Sequence, residues 1–166
     1  MVSERFVRFT MAPVALLTFL TSVVVMAIAA SLEHRWKNVG FPNNSYRDRE
    51  RLLLVAGIWG IIVSLYSLIG VLVRPTSRAF GVLVHLIFYA IAFFLYLCGA
   101  ASLTALTNSI DCGNVTWSRC NVVKGGLVST GWIGTIFTFI MLLIAIFLGV
   151  KARSGVGARK AALTEA

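Results

Sequence analysis

Two cysteines and an asparagine carry the clearest chemistry in this sequence. Cys112 and Cys120 are eight positions apart, and an N-glycosylation sequon begins at Asn114 between them. So short a segment can bring the two Cα atoms within the ~4.4–6.8 Å that a disulfide requires, with a turn at Gly113 and Asn114. Disulfides and N-linked glycans both form outside the cytosol. We therefore predict a disulfide between Cys112 and Cys120 and a candidate glycosylation site at Asn114, in a loop on the non-cytosolic side.

The other residues that could act in catalysis or bind a metal are scattered along the chain. His34 and His85 lie in different regions, and Cys98 is the third cysteine. The sequence contains no catalytic constellation and no zinc-type set of four Cys and His ligands, so we predict no enzyme activity and no cofactor. His85 falls in an apolar stretch, where an ionisable group is a functional candidate. Near a helix end, a neutral histidine that bonds to water, a headgroup or a hydroxyl is the more common case. Cys98 is interpreted as inert packing.

The elements that must position these residues are long and apolar. Hydrophobic residues make up 58% of the chain and charged residues 13%, which is about half of the ~25% found in soluble proteins. Asp, Glu, Lys and Arg are absent from four windows, residues 9–32, 52–73, 79–110 and 125–150. Each window exceeds the ~20 residues that a membrane-spanning helix needs. The predicted fold is therefore all-α, an integral membrane bundle of four transmembrane helices with short loops.

These windows also divide the chain into its predicted parts. They are a cytosolic head at 1–8, a four-span membrane domain at 9–150 and a basic cytosolic tail at 151–166. The predicted spans cover about 10–31, 52–73, 80–106 and 126–150. The net charge of +9 comes from basic residues beside the spans, which favours anionic lipid headgroups over nucleic acid as the partner. The predicted headgroup contacts are Arg74, Arg78, Lys151 and Arg153.

Small residues mark the faces along which the predicted helices pack. Such residues form a stripe in the second helix and a similar seam in the fourth. In lipid, small side chains let helix backbones approach closely, because burial of apolar surface no longer drives association. We interpret the stripe as a packing face within one chain, with a dimerisation face as the alternative. The residues concerned are Gly57, Gly60, Ser64 and Ser67 in the second helix and Gly126 and Gly134 in the fourth.

The charged segment between the first two spans, residues 33–51, is interpreted as a loop. Ser45 and Asp48 have the spacing of a capping box, so the second helix is expected to begin near Tyr46. Its charged first turns are expected to lie outside the bilayer. Asn43 begins a second sequon and is a second candidate for glycosylation, although we favour turn and cap chemistry at this position.

With four spans, both termini lie on the same side of the membrane. Lys and Arg number 8 on the terminal side and 7 on the other, so the positive-inside rule does not decide the orientation. The two loop cysteines and both sequons share the non-terminal side, which predicts cytosolic termini. In the inverted orientation these cysteines would be candidates for palmitoylation. Cleavage of the first apolar segment as a signal peptide is an alternative; otherwise Pro13 is expected in the first turn of the first helix.

The arrangement of the chain resembles the MARVEL domain in its small fungal form. Four spans in 166 residues, a very short second connection and a cysteine-containing third loop carry this resemblance. The stretches 46–54, leading into Gly57, and 97–105, followed by Cys112 and Cys120, are similar to that family's second and third helices. The likeness covers about residues 5–150. Tetraspanins fit less well, because their large Cys-Cys-Gly loop is missing, and claudins do not fit the first loop.

The resemblance implies a non-enzymatic protein of the plasma membrane or of secretory vesicles. Such proteins take part in the lateral organisation of membrane domains, in membrane apposition and in trafficking, with membrane lipids and other membrane proteins as partners and with homo- or hetero-oligomers as an option. The alternatives are a small oligomeric channel or carrier and an accessory subunit of a membrane complex. A proton relay is disfavoured, because the four windows hold no Asp, Glu, Lys or Arg.

Overall fold

Four long helices form the part of the chain that can be described. A computed structural model describes residues 4–41, 43–72, 82–108, 110–113 and 119–153. The helices are α1, Glu4–Val39, α2, Asn44–Leu72, α3, Val82–Thr107, and α4, Val128–Arg153, which follows directly on a short π-helix, Val122–Leu127. Each of the four is long and apolar enough to cross a membrane, and these residues form no strand. The predicted all-α, four-helix membrane bundle is confirmed.

The first two helices extend well past their apolar windows, so the prediction of a long first loop is wrong. α1 continues to Val39 and α2 begins at Asn44, which leaves only residues 40–43 as the connection. We call residues 33–51 the tip. At ~1.5 Å per residue, the 36 residues of α1 measure about 54 Å, whereas the hydrocarbon core is about 30 Å thick. Because the tip carries the charges, we expect it to be the part that projects from the membrane.

A glycine ends α1 where the chain turns back. Gly40 has a φ of +90°, a left-handed conformation that glycine adopts without steric cost. Its N–H donates a 2.8 Å hydrogen bond to the carbonyl of Trp36. This geometry satisfies one of the last carbonyls of the helix and reverses the chain within a few residues.

The N-cap of α2 is Asn43, so the predicted capping box at Ser45 is wrong. The Oδ1 atom of Asn43 accepts a 3.1 Å hydrogen bond from the N–H of Ser45. Its carbonyl accepts 3.2 Å bonds from the N–H groups of Tyr46 and Arg47. The structure therefore confirms the cap role that we favoured for Asn43. Asn43, Asn44 and Ser45 are all good capping residues, and the sequence spacing favoured the wrong one.

Pro13 also differs from expectation, because α1 begins earlier than the apolar window. The helix starts at Glu4, so Pro13 lies in its interior and not in its first turn. A proline there lacks the N–H that would bond to the carbonyl of Phe9.

The interior of the bundle combines apolar side chains with hydroxyl groups. One cluster of buried apolar residues lies towards the start of α1 and includes Met11, Ala15, Val63, Tyr89 and Met141. A second lies towards the tip and includes Val25, Leu32, Leu53, Tyr96, Leu103 and Leu127. Several hydroxyl residues are equally buried, among them Thr18, Ser22, Ser64, Ser67 and Thr138. The outward faces are rich in large apolar side chains such as Ile62, Phe94 and Phe147, as lipid contact requires.

We expect Asn43→Ala to lower the free energy of unfolding by about 1 kcal/mol, because it removes the bond that caps α2. The matched control is Ser45→Ala, which should stay within about 0.5 kcal/mol of the parent. Equilibrium unfolding of the helical signal in detergent measures both. A larger loss of unfolding free energy in the Ser45 variant than in the Asn43 variant would show that Ser45 is the N-cap.

Candidate functional site

One end of the bundle gathers most of the residues that the sequence marks as chemical. The tip of the α1–α2 hairpin lies there, where one long-range bond joins it to α3 and another joins the end of α3 to the π-helix. Arg49 of α2 donates a 2.9 Å bond to the carbonyl of Ser102 in α3. Lys124 of the π-helix donates a 2.9 Å bond to the carbonyl of Ile110, just after α3. The tip and the third loop therefore form one end of the bundle, which is the candidate site.

The predicted disulfide is present in the third loop. Cys112 and Cys120 are joined, with their Cα atoms 5.6 Å apart. The side chain of Asp111 accepts a 3.1 Å bond from the N–H of Gly113, which forms a turn over residues 111–113, just before the turn predicted at Gly113 and Asn114. Cys120 is buried at the start of the last helical segment. The bridge thus ties the end of α3 to the beginning of the π-helix, while Asn114 lies outside the described residues.

Charged side chains close the tip. Arg51 of α2 pairs with Glu33 of α1, with 2.7 Å between Nη2 and Oε1. The guanidinium groups of Arg47 and Arg51 each lie within 5.9 Å of the centre of the Phe41 ring. These contacts cross the hairpin and its connection. Each partly exposed pair contributes roughly 0–1 kcal/mol, so they set the geometry of the tip more than its stability.

A carboxyl group is buried inside the tip. Glu50 is only 1% exposed, and neither of its oxygens forms a hydrogen bond of good geometry with the described residues. Tyr46 precedes it by one turn and lies edge-on to Trp36, with ring centres 6.0 Å apart. The charged first turns of α2 are still expected to lie outside the bilayer, but Glu50 within them is packed inside the protein. The windows themselves remain free of charge, but a carboxyl is buried immediately beside one.

Sequence spacing contained a signal for this burial. Continuing the small-residue stripe of α2 backwards from Gly57 in steps of three and four reaches Leu53, Glu50 and Tyr46. All three are buried on the same face. The sequence interpretation treated Glu50 only as one of the charges of residues 33–51 and did not apply this register to it.

The small-residue stripe faces neighbouring helices. A Cβ atom at Gly57 would lie 3.0 Å from the backbone nitrogen of Met26 in α1. One at Gly60 would collide with the hydroxyl of Ser22 and lie 2.9 Å from that of Tyr96. The Tyr96 hydroxyl donates a 2.9 Å bond to Ser22, which ties α3 to α1 directly over Gly60.

Further along α2, the two serines of the stripe are also buried. The hydroxyl of Ser64 donates a 2.6 Å bond to the carbonyl of Gly60. Ser67 accepts a 2.9 Å bond from the hydroxyl of Tyr89 in α3. The whole stripe therefore serves packing inside one chain. A dimerisation face made of these residues would need the bundle to open.

The two glycines of α4 differ in how tightly they pack. A Cβ atom at Gly134 would lie 2.6 Å from the ring of Tyr96, so this position needs glycine. One at Gly126 would make only ordinary contacts, with Ile28 and Val122, both at 3.7 Å. Sequence reasoning missed Gly99, where a Cβ atom would lie 2.8 Å from the side chain of Leu53. Ala92 and Ser102 lie at helical spacing from Gly99, a signal that the sequence analysis did not use.

His85 lies near the start of α3 and is fully buried. Its ring centre is 5.0 Å from that of Tyr66 in α2. Cys98 in the same helix is an exposed free thiol, so the expectation of a buried packing residue is wrong. The two groups face different surroundings, and neither belongs to the end that holds the tip.

The remaining predicted site residues are located only in part. Lys151 and Arg153 lie in the last turn of α4, which continues the helix three residues beyond the predicted span. Arg74 and Arg78 lie outside the described residues. On the lipid-facing side, an open apolar groove of about 230 Å³ runs between α3 and α4. Its walls are Phe93, Trp132, Thr135, Ile136 and Phe139.

Comparison with known proteins gives no family model, no curated relative and no solved structure that matches this chain.

Gly60→Ala should lower the free energy of unfolding by about 1–3 kcal/mol, because the added Cβ atom displaces Ser22 and Tyr96 from their hydrogen bond. The control is Gly125→Ala, where the added atom meets nothing within 4 Å. That variant should unfold at the parent's midpoint or slightly above it. Thermal unfolding in detergent compares the two. Equal midpoints would mean that α2 does not pack on α1 and α3 through this face.

The disulfide predicts a specific alkylation pattern. Under denaturing conditions, one of the three cysteines should be alkylated before reduction and all three afterwards, since only Cys98 is a free thiol. Intact mass counts the labels. Cys112→Ser should remove the roughly 2–3 kcal/mol that the disulfide contributes to stability, so that the third loop becomes looser while the four helices stay folded. Three labels before reduction would show that the bridge does not form.

Proposed function

We propose that this multi-pass membrane protein is a non-enzymatic scaffold that organises membrane domains or assists membrane trafficking. Its membrane is the plasma membrane or that of secretory vesicles. The four apolar helices support a membrane protein. The more specific role is supported by the resemblance of residues 5–150 to the MARVEL domain. Its partners in this proposal are membrane lipids and other membrane proteins.

The observation that carries the proposal is the distribution of polar and apolar groups in the bundle. The buried serine and threonine hydroxyls among the described residues bond to tyrosine hydroxyls or to backbone carbonyls, as Ser22 does with Tyr96 and Thr138 with Gly134. Glycines at the crossings bring the helices into direct contact. Large apolar side chains cover the outward faces. A bundle whose interior hydroxyls are already hydrogen-bonded and whose outward faces are apolar interacts mainly with the surrounding lipids. This arrangement suits lateral organisation better than transport through the centre.

The proposed orientation places both termini in the cytosol. It is supported by the Cys112–Cys120 bridge, because disulfides persist in oxidising compartments. The tip lies at the same end of the bundle as this bridge, so in this orientation it faces the non-cytosolic side. Lys151 and Arg153, at the other end of α4, would then meet the anionic cytosolic leaflet.

A C-terminal fluorescent tag tests the proposal in two steps. In intact cells the tagged chain should collect in stable patches of the plasma membrane or in secretory vesicles, and in sealed microsomes added protease should remove the tag. The double variant Lys151→Gln, Arg153→Gln should weaken the patches while the folded bundle persists. An even distribution over organelle membranes would contradict the scaffold role, and protection of the tag would reverse the orientation. Ion flux through vesicles that hold the purified chain would favour the channel instead.

A further inference from the structure

We propose that Glu50 is a proton-responsive latch that couples the pH on its side of the membrane to the packing of α1 against α2 at the tip. The proposal concerns the fold and does not depend on the scaffold role. It begins from the burial of this carboxyl group, which is as complete as that of the apolar residues around it.

The hydrogen bonds of the surrounding charged groups go elsewhere. Arg49, one residue before Glu50, bonds to the Ser102 carbonyl of α3. Arg51, one residue after it, bonds to Glu33 of α1. Lys124 of the π-helix bonds to the Ile110 carbonyl. The two residues flanking Glu50 thus hold the helix in register with α1 and α3, while the carboxyl itself points inward without a well-formed bond to the described residues.

The near neighbours of Glu50 give little support to a negative charge. Glu33 of α1 places a second negative charge near Glu50. The positive charge of Arg51 opposes it, but Arg51 is already paired with Glu33. The Tyr46 side chain, one turn earlier in α2, favours the ionised carboxyl, but burial opposes ionisation more strongly. Tyr46 in turn packs edge-on against Trp36, whose indole N–H is buried without a hydrogen bond among the described residues. Burying an unpaired carboxylate is strongly unfavourable, so the carboxyl takes up a proton in the closed tip.

The direction of the response follows from linkage. The closed tip favours the protonated carboxyl, whereas an opened tip exposes Glu50 to water and lets it ionise at the ~4.3 of an ordinary glutamate. Opening therefore releases a proton and becomes easier as the pH rises. The closed packing is most stable below the ~4.3 of the open form, loses stability as the pH rises from there to the pKa of the closed form, and loses no more above it. In the proposed orientation, an acidic compartment would close the tip and a neutral exterior would loosen it.

Hydrogen exchange on the full chain in lipid nanodiscs tests this latch between about pH 5 and pH 8. After correction for the intrinsic effect of pH, exchange in residues 33–39 and 44–51 should rise by up to about tenfold per pH unit within part of this range. Residues 136–143 of α4, which hold no ionisable group, should show no such rise. If the corrected exchange rate of the tip does not change with pH in the unmodified protein, the proposal is overturned without any variant.

Three variants identify the responsible group. Glu50→Gln keeps the shape of the neutral carboxyl and should remain slow at every pH. Asp48→Asn and His34→Gln remove exposed ionisable groups of the tip and should keep the response of the parent. Persistence of the rise in the Glu50 variant, or its loss in either control, would assign the response to another residue.

Discussion

The structure depends on close contact between helices at positions without side chains. In a bilayer, the apolar effect that drives soluble folding is lost between helices, so packing and hydrogen bonds must supply the association. The crossing at Gly60 combines both. The missing side chain makes room for Ser22 and Tyr96, and their hydrogen bond then joins α1 to α3 across α2. Gly134 accepts the ring of the same tyrosine from α4. One aromatic side chain thus connects all four helices.

The end with the tip is held in a different way, and we expect water to be available there because it carries the charges of residues 33–51. Ion pairs, cation–π contacts and carbonyl bonds replace the glycine contacts of the membrane interior, and the covalent bridge closes the third loop. The short π-helix follows the bridge directly and keeps Val123 and Leu127 buried while it directs Lys124 towards Ile110. Such wide turns are often found at functional sites, which fits the concentration of chemistry at this end.

Sequence reasoning reached the parts of this structure that obey a single rule. Windows without charge located the four long apolar helices, and the spacing of Cys112 and Cys120 located the disulfide. It failed where two rules compete. The charges of residues 33–51 indicated a loop, but helical hydrogen bonds continue through them because their partners lie across the hairpin. Glu50 belonged by charge to the surface and by register to the core. The cap fell among three adjacent residues of equal propensity, where only the geometry of Asn43 decides.

The length of α1 has a mechanical consequence. About seven of its residues, 33–39, continue past the apolar window, which at ~1.5 Å per residue is a rigid extension of roughly 10 Å. Because α2 returns alongside it and Gly40 turns the chain tightly, this extension is a two-helix post and not a flexible strand. A second membrane or a bulky molecule that approaches from this side would meet the post before the headgroups. With the tip projecting from the membrane, as its charges lead us to expect, the bundle would set a minimum gap at the membrane surface, fixed by helix geometry.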